Sequence, residues 1–287
     1  MNKRPIEDIG DWKEWGSRLG LFLLFLICGL LALGPLQWGY IKLPTDIRAI
    51  YKIVIPLIFL VATLFMYRND HFNQYWQVFF ALFVVSFAFF VAWLGARFLT
   101  FLPTTPEGIA FAKLSDVLLL VIPILVLIRI SGGEMASIYL QQGNLKVGLL
   151  IGLIGFVGFV AIAIPGAEDL FYGENITWEI ILSWAPWILA FVLANGLMEE
   201  LLYRGLFLKK FEPLFGSKAS NLLQTVVFTL AHLQVEYTPE LPRFLVIVFV
   251  LGLAFGYVMQ RTDSLLGSTL FHAGADVVVI IGFFATL

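Results

Sequence analysis

The sequence WAPWILAFVLANGLMEELLYR, from Trp184 to Arg204, places two adjacent carboxylates and a guanidinium at the end of a long apolar run. An ionised side chain at membrane depth costs roughly 2.5–3.5 kcal/mol on insertion scales, and such side chains are retained where they are paired, hydrated or functional. The segment therefore predicts a membrane-spanning helix that ends in a polar site built around Glu199, Glu200 and Arg204.

The composition of the whole chain agrees with a membrane protein. The chain has 287 residues, of which 60% are hydrophobic, 16% aromatic and only 13% charged, and its mean hydropathy is +0.91. Ordinary globular domains carry about 25% charged residues. We therefore predict an all-α, polytopic helical membrane protein with a buried polar cavity. The net charge of −2 gives no reason to expect a nucleic-acid partner, and the single Cys28 excludes a disulfide within the chain.

Apolar stretches divide the chain into candidate spans. Nine of them are long enough, or nearly so, to cross about 30 Å of hydrocarbon, so we expect eight to nine transmembrane helices. Residues 1–16, with tryptophans among charges, predict a short interfacial segment before the first span. The stretches lie near residues 18–34, 49–67, 76–101, 114–130, 146–166, 177–200, 217–235, 243–260 and 264–286.

The distribution of lysine and arginine predicts the orientation of these spans. With the amino terminus inside, 12 of the 18 Lys and Arg residues fall on the inner side and 6 on the outer side. Cytoplasmic loops carry an excess of these residues. We therefore expect a cytoplasmic amino terminus and an outer carboxyl terminus.

Three further ionisable residues within apolar runs can join Glu199, namely His232, His272 and Asp276. If the sixth helix continues to about Phe211, Glu199 lies about 18 Å from its end, and His232 lies about 22 Å into the next helix. On the ninth helix, His272 lies about 14 Å deep and Asp276 about 20 Å. Since the latter two are one turn apart, they share a face. The four side chains are thus expected to converge, as an active site within the membrane requires.

Three motifs in this region resemble a known family. The patterns Glu199-Glu200-x-x-x-Arg204, Phe228-x-x-x-His232 and His272-x-x-x-Asp276 match, in order, the signature of the CPBP intramembrane proteases. This family includes the type II CAAX prenyl endopeptidases and many bacterial relatives. The resemblance covers residues 114–287, whereas residues 17–113 hold transmembrane helices without a recognisable motif.

The resemblance implies a role for each motif residue. Glu199 is the expected general base that activates a water, and His232 the residue that shares and orients this water. His272 and Asp276 are expected to line the site where the scissile carbonyl oxygen becomes negative. Glu200 and Arg204, one helical turn apart, are expected to form a structural ion pair, and Phe228 belongs to the supporting motif. The resemblance implies a mechanism without a metal, so no cofactor is expected.

Asp276 departs from the family pattern. Many relatives have Asn here, and its amide can donate a hydrogen bond to an oxyanion, whereas an ionised Asp cannot. Either Asp276 is protonated and donates such a bond, or it orients His272 and leaves oxyanion binding to the imidazole. The residues alone leave both alternatives open.

Three other interpretations compete with a protease. A secondary transporter also buries acids and histidines near helices broken by Gly or Pro, although the halves of this chain show no internal symmetry. A zinc site formed by Glu199, His232 and His272 is a second alternative; an H-E-x-x-H sequence, however, is absent. The third is a non-catalytic membrane scaffold with a buried polar site.

The resemblance also implies a substrate class. We expect an endopeptidase that cleaves a peptide bond in or near the membrane, of CAAX type or in peptide or bacteriocin processing. Its expected partners are membrane lipids and a membrane-associated or lipidated peptide or protein, approached from the cytoplasmic side. The expected location is the cell membrane of a bacterium or archaeon. The sequence leaves the oligomeric state open.

Overall fold

The structure, a computed structural model, describes residues 12–98, 104–172, 176–285 and 287. Within these ranges the regular structure is helical and no strand occurs, which confirms the predicted fold class. The predicted interfacial segment 1–16 lies mostly outside the described residues, since the first helix begins at Trp12.

The helices are numbered in chain order. They are α1 (Trp12–Leu33), α2 (Pro35–Trp38), α3 (Thr45–Arg68), α4 (Trp76–Gly95), α5 (Pro106–Ile130), α6 (Leu145–Ala161), α7 (Ala163–Phe171), α8 (Trp178–Glu199), a π-helical segment (Glu200–Gly205), α9 (Leu208–Ala231), α10 (Leu241–Thr262) and α11 (Leu265–Phe284).

Many of these helices are long and apolar enough to cross a membrane. Among the described residues seven meet this condition, or eight if the bent pair α6 and α7 forms one span. The protein is therefore an integral membrane protein. One face of α3 exposes a row of large apolar side chains at helical spacing, as expected for contact with lipid: Ile50, Ile53, Leu57, Val61 and Leu64.

The described residues contain fewer candidate spans than the nine apolar stretches of the sequence. The predicted stretch 217–235 corresponds to α9, which does not qualify as an apolar span. This helix begins earlier, at Leu208, and it includes Lys209, Lys210 and Glu212. Within it, Gly216 adopts φ 77° and ψ 166°, a conformation that glycine tolerates, and this residue kinks the helix.

The predicted single span 146–166 is also broken. Helix α6 ends at Ala161, and α7 leaves it at an angle of 66°. Pro165 explains why the helix does not continue, because proline lacks the N–H that would bond to the carbonyl one turn earlier. As the third residue of α7, it occupies a first turn, where the N–H has no intrahelical partner in any case.

The chain after Glu199 differs from the expected continuous helix as well. The helix does not run on to Phe211 but becomes a π-helix over Glu200–Gly205, followed by a turn before α9 starts. Single π-helical turns within α-helices occur frequently at functional sites. Within this segment Glu200 and Arg204 lie together in the interior, where both side chains are fully buried.

Helix α11 lies at the centre of the described structure. It is the most buried of the candidate spans, because 67% of its apolar 18-residue stretch lies inside the protein. Glycines allow α6 to pack closely against it: a Cβ on Gly267 would lie 2.8 Å from the Cα atom of Gly148. Close contact through small residues is typical of helix packing in membranes.

Ion pairs identify the two ends of the helix bundle. At one end Lys209 Nζ lies 2.7 Å from Asp263 Oδ1, and at the other Lys42 Nζ lies 3.7 Å from Glu236 Oε1. Loops predicted to share a side therefore do lie at the same end. Which end faces the cytoplasm stays a prediction.

Candidate active site

A close approach of α8 and α11 creates the site. A Cβ on Gly196 would lie 2.9 Å from the carbonyl oxygen of Thr269 and 3.2 Å from the backbone nitrogen of Ala273. Because glycine has no side chain here, the two backbones approach closely. As a result, Glu199 on α8 lies beside His272 on α11.

Three of the predicted site residues meet at this crossing. His272 Nε2 lies 3.6 Å from Glu199 Oε2 and 3.6 Å from Asp276 Oδ1. Both distances exceed that of a direct hydrogen bond. The side chains of Glu199 and Asp276 retain 12% and 13% of their exposure, whereas that of His272 retains 5%. The two carboxyl groups are thus more exposed to the open space than the imidazole between them.

Glu200 points the other way, into a fully buried network. Its Oε1 accepts a hydrogen bond of 2.6 Å from Arg204 Nη1 and one of 2.8 Å from His272 Nδ1. Its Oε2 accepts a hydrogen bond from the Ser268 hydroxyl. Charge-assisted hydrogen bonds of this kind are about twice as strong as neutral ones. The carboxyl group of Glu200 is therefore occupied and separated from the cavity.

The contact with Glu200 determines that Nδ1 of His272 carries a proton. Since the Glu200 carboxylate accepts, Nδ1 of His272 carries the proton of this bond and donates it. Its Nε2 then faces Glu199 and Asp276. Glu200 therefore orients His272. The sequence had left this role open as an alternative for Asp276.

His232 is held in the same manner from the end of α9. Its Nδ1 lies 2.8 Å from the carbonyl oxygen of Phe228, which can only accept, so Nδ1 donates. In a neutral imidazole with this tautomer, Nε2 is an acceptor. His232 also lines the cavity that Glu199 lines, so the predicted convergence of the four side chains is observed.

Phe228 connects the parts of the site. The Arg204 guanidinium carbon lies 4.2 Å from the centre of its ring, which is a cation–π contact. Its ring also meets His232 edge-on, with 4.7 Å between ring centres. A second aromatic residue, Phe255, stacks on the ring of His272, with 4.7 Å between ring centres and an interplanar angle of 12°. The two aromatic rings restrict the motion of both imidazoles.

Asn195 belongs to the site although no sequence pattern pointed to it. It lies one turn before Glu199 on α8, and its Nδ2 donates a hydrogen bond of 2.9 Å to Asp276 Oδ2. The residue is 7% exposed. Its Oδ1 is buried without a hydrogen-bond partner among the described residues.

The site lies at the inner end of a cavity of about 340 Å³. Glu199, His232, His272, Asp276 and Phe228 line this cavity, whereas Glu200 and Arg204 lie behind its wall. The remaining wall is mainly apolar and includes Phe159, Ile162, Phe191, Phe244, Ile247, Val248, Leu251, Val279 and Phe283.

The cavity extends to polar residues at one end of the bundle. Tyr40, Lys113 and Tyr237 line it there, close to the end where Lys42 meets Glu236. Burial, together with the charges of Glu199 and Asp116, raises the pKa of Tyr40 to about 12. The Tyr40 phenol is therefore protonated at neutral pH and able to donate a hydrogen bond.

The alternative zinc set does not form a recognisable metal site. Among the described residues, no group of three or more His, Cys, Asp or Glu side chains is arranged to hold a metal ion. The absence of a cofactor stays a prediction.

Comparison with known proteins identifies the region that contains the site. Residues 181–278 match the model of a family described as Rce1-like, type II CAAX prenyl endopeptidase Rce1-like. This segment runs from α8 into α11 and includes all three motifs, so the recognition of a CPBP-type sequence is confirmed. The match implies a protease of CAAX type. No curated protein and no solved structure matches the chain.

Proposed function

We propose that the protein is an intramembrane endopeptidase in which Glu199 and His232 activate a water molecule. The observation that supports this most directly is the different placement of the two adjacent glutamates. Glu199 reaches the cavity beside His272, whereas Glu200 is enclosed by Arg204, His272 and Ser268. The carboxylate of Glu199 is thus available for proton transfer, whereas that of Glu200 is engaged in hydrogen bonds inside the protein.

The proposed reaction begins with proton transfer from water to Glu199. The resulting hydroxide attacks the scissile carbonyl carbon, and the carbonyl oxygen becomes negative. Nε2 of neutral His232 accepts a hydrogen bond from the water and aligns it for attack. The proton held by Glu199 then passes to the leaving amine as the carbon–nitrogen bond breaks. General acid–base catalysis of this kind contributes about 10²–10⁴-fold.

His272 and Asp276 are placed to stabilise the oxyanion. Because Nδ1 of His272 donates to Glu200, its Nε2 donates to the oxyanion when the ring carries a second proton, as an imidazolium. Glu200 and the stacked ring of Phe255 fix the imidazole of His272, so little reorganisation accompanies the reaction. Preorganised donors in a site shielded from water are worth far more than the same donors in water. Asp276 Oδ1 lies on the same side of the imidazole and joins this donor set when it is protonated.

The cavity wall supports a lipidated or strongly apolar substrate. Aromatic and aliphatic side chains dominate the wall between α6, α10 and α11. A prenyl group or an apolar peptide side chain buried there contributes about 0.8 kcal/mol per methylene. We infer a prenylated or otherwise membrane-bound peptide as the substrate. The apolar wall does not favour bacteriocin processing over CAAX-type cleavage.

Two predictions about orientation conflict with each other. Helix α1 begins at the end of the bundle opposite to Tyr40, where the cavity has its polar rim. A cytoplasmic amino terminus therefore places this rim on the outer side, whereas cytoplasmic access of the substrate places the amino terminus outside. We retain the cytoplasmic amino terminus, because the distribution of Lys and Arg supports it independently.

The proposed function is tested with two synthetic peptides. Both carry the same CAAX sequence, and one of them carries a farnesyl group on its cysteine. Purified protein in lipid nanodiscs is expected to cleave the farnesylated peptide faster, and Glu199→Ala is expected to cleave neither. Failure of the wild type to cleave either peptide, or equal cleavage by Glu199→Ala, would contradict the proposal.

A further inference from the structure

The buried amide of Asn195 lies where it can control Asp276. Its Nδ2 donates to Asp276 Oδ2 at 2.9 Å, while Asp276 Oδ1 lies 3.6 Å from His272 Nε2. The two oxygens of one carboxyl group therefore have different partners. One is held by α8, and the other faces the imidazole that we place at the oxyanion.

This arrangement determines which oxygen can carry a proton. An oxygen that accepts an N–H bond from an amide offers its lone pair, so a proton on Asp276 belongs on Oδ1. In the ionised state the same bond leaves Oδ1 free to accept from Nε2 of a doubly protonated His272. In either state, Oδ1 is the oxygen presented to the reacting group.

A purely structural explanation accounts poorly for Asn195. The residue is only 7% exposed, yet its Oδ1 has no hydrogen-bond partner in the described part of the chain. Leaving a buried acceptor unpaired costs about 1–3 kcal/mol. An apolar residue of similar size would avoid this cost but would lose the hydrogen bond to Asp276, so the amide has its reason in that contact.

We propose that Asn195 is a positioning residue, which holds Asp276 through Oδ2 so that Oδ1 faces His272 and the developing oxyanion. The inference rests on the proposed peptidase function. It adds a residue outside the three motifs, supplied by the helix that also carries Glu199. Because Asn195 acts through Asp276, its removal affects the rate of the chemical step more than substrate binding.

A double-mutant cycle tests this role with the farnesylated CAAX peptide as the substrate. Asn195→Leu keeps the approximate size but removes the donor, and it is expected to lower kcat about ten- to hundredfold with KM nearly unchanged. In an Asp276→Ala background the same substitution is expected to cause no further loss. Glu179→Gln, an exposed change in the first turn of α8, serves as the control with wild-type kcat.

A second pair of variants covers the case in which Asn195→Leu fails to fold. Asn195→Asp places two carboxyl groups against each other, so its activity is expected to fall. Adding Asp276→Asn restores an amide–carboxyl pair and is expected to recover part of the loss. Recovery of this kind does not arise from a general effect on folding.

The outcomes separate this inference from the proposed function. Equal losses from Asn195→Leu in both backgrounds, wild-type kcat in Asn195→Leu, or no recovery in the reciprocal pair would each overturn the positioning role. If Glu199→Ala still abolishes cleavage in those experiments, the proposed function stands. Absence of cleavage by the wild type contradicts both.

Discussion

Glu199 and Glu200 are adjacent in sequence but have different surroundings. Glu199 retains contact with the cavity, whereas Glu200 is fully buried against Arg204 and His272. The sequence predicted both the ion pair of Glu200 with Arg204 and the location of Glu199 in the cavity. It could not predict the bond from Glu200 to His272, because 72 residues separate the two in the chain and only the packing of α11 brings them together.

Glu200→Gln is expected to destabilise the protein more than it changes the chemistry of the site. Removing one partner of a buried ion pair leaves an uncompensated charge on Arg204, with a cost of about 3–5 kcal/mol. The measurement is unfolding in detergent, followed by the cleavage rate per folded molecule. Glu179→Gln, an exposed substitution on α8, is expected to leave stability unchanged. A Glu200→Gln variant with wild-type stability would contradict the buried ion pair.

Asp276→Asn distinguishes the two states of this residue. If Asp276 is protonated and donates to the oxyanion, Asn supplies an equivalent N–H, so activity is retained and extends to higher pH because an amide does not titrate. Asp276→Ala is then expected to lose about 100-fold or more, as for other single oxyanion donors. We expect this outcome. A sharp loss in Asp276→Asn across the whole pH–rate profile would instead indicate that the ionised carboxylate is required.

At the scale of secondary structure, local backbone features shape the site. The π-helical segment Glu200–Gly205 turns Tyr203 toward the amino-terminal part of the chain, where its hydroxyl donates to the carbonyl oxygen of Leu33 at 3.1 Å. Trp38 Nε1 donates to the same hydroxyl at 2.7 Å. The first helices, which carry no family motif, therefore support the segment next to the site.

Sequence patterns identified most helices but missed these local features. Runs of apolar residues reveal where a span lies, because each must be long enough to cross the hydrocarbon. They do not reveal where an apolar helix changes into a π-helix, as this one does at Glu200–Gly205. They also predicted a membrane span at residues 217–235, whereas this apolar stretch belongs to α9, a buried helix that begins with polar residues.

The beginning of α9 contains a buried lysine whose charge affects stability. Burial, with a smaller effect of Lys209, lowers the pKa of Lys210 to about 8. Since this value lies below that of an unfolded lysine, the folded protein binds fewer protons between about pH 8 and 10.5. Stability attributable to Lys210 is therefore expected to rise with pH across this window and to be lost as pH falls through about 8.

Lys210→Met tests this dependence. The variant is expected to lose the rise in stability between about pH 8 and 10.5 that the wild type shows, as measured by thermal unfolding in detergent. Lys218→Met removes an equal charge from an exposed position and is expected to keep the rise. An identical pH dependence in wild type and Lys210→Met would contradict the burial of a titrating amine at this position.

At the scale of the whole molecule, the helix bundle encloses a cavity with an apolar wall and a polar inner end. The match over residues 181–278 explains why the motif-bearing helices could be recognised from sequence. The contribution of Tyr40 could not, since it lies outside the matched segment and reaches the cavity only through the packing of the first helices.

Metal dependence is a property of the whole molecule that can be measured directly. We expect purified protein to retain its activity after exhaustive chelation, and elemental analysis to find well under one zinc per chain. Proteolysis that requires stoichiometric zinc would instead support Glu199, His232 and His272 as ligands.

The most direct test of the central claim is the cleavage rate of Glu199→Gln. Glutamine preserves the size and polarity of the side chain but cannot accept the proton of water, so hydrolysis is expected to fall by at least about 10²-fold. The rate is measured by mass spectrometry of the released peptide, with folding checked by thermal unfolding and Glu179→Gln as the control. A folded Glu199→Gln variant that hydrolyses the farnesylated peptide at the wild-type rate would show that Glu199 is not the base.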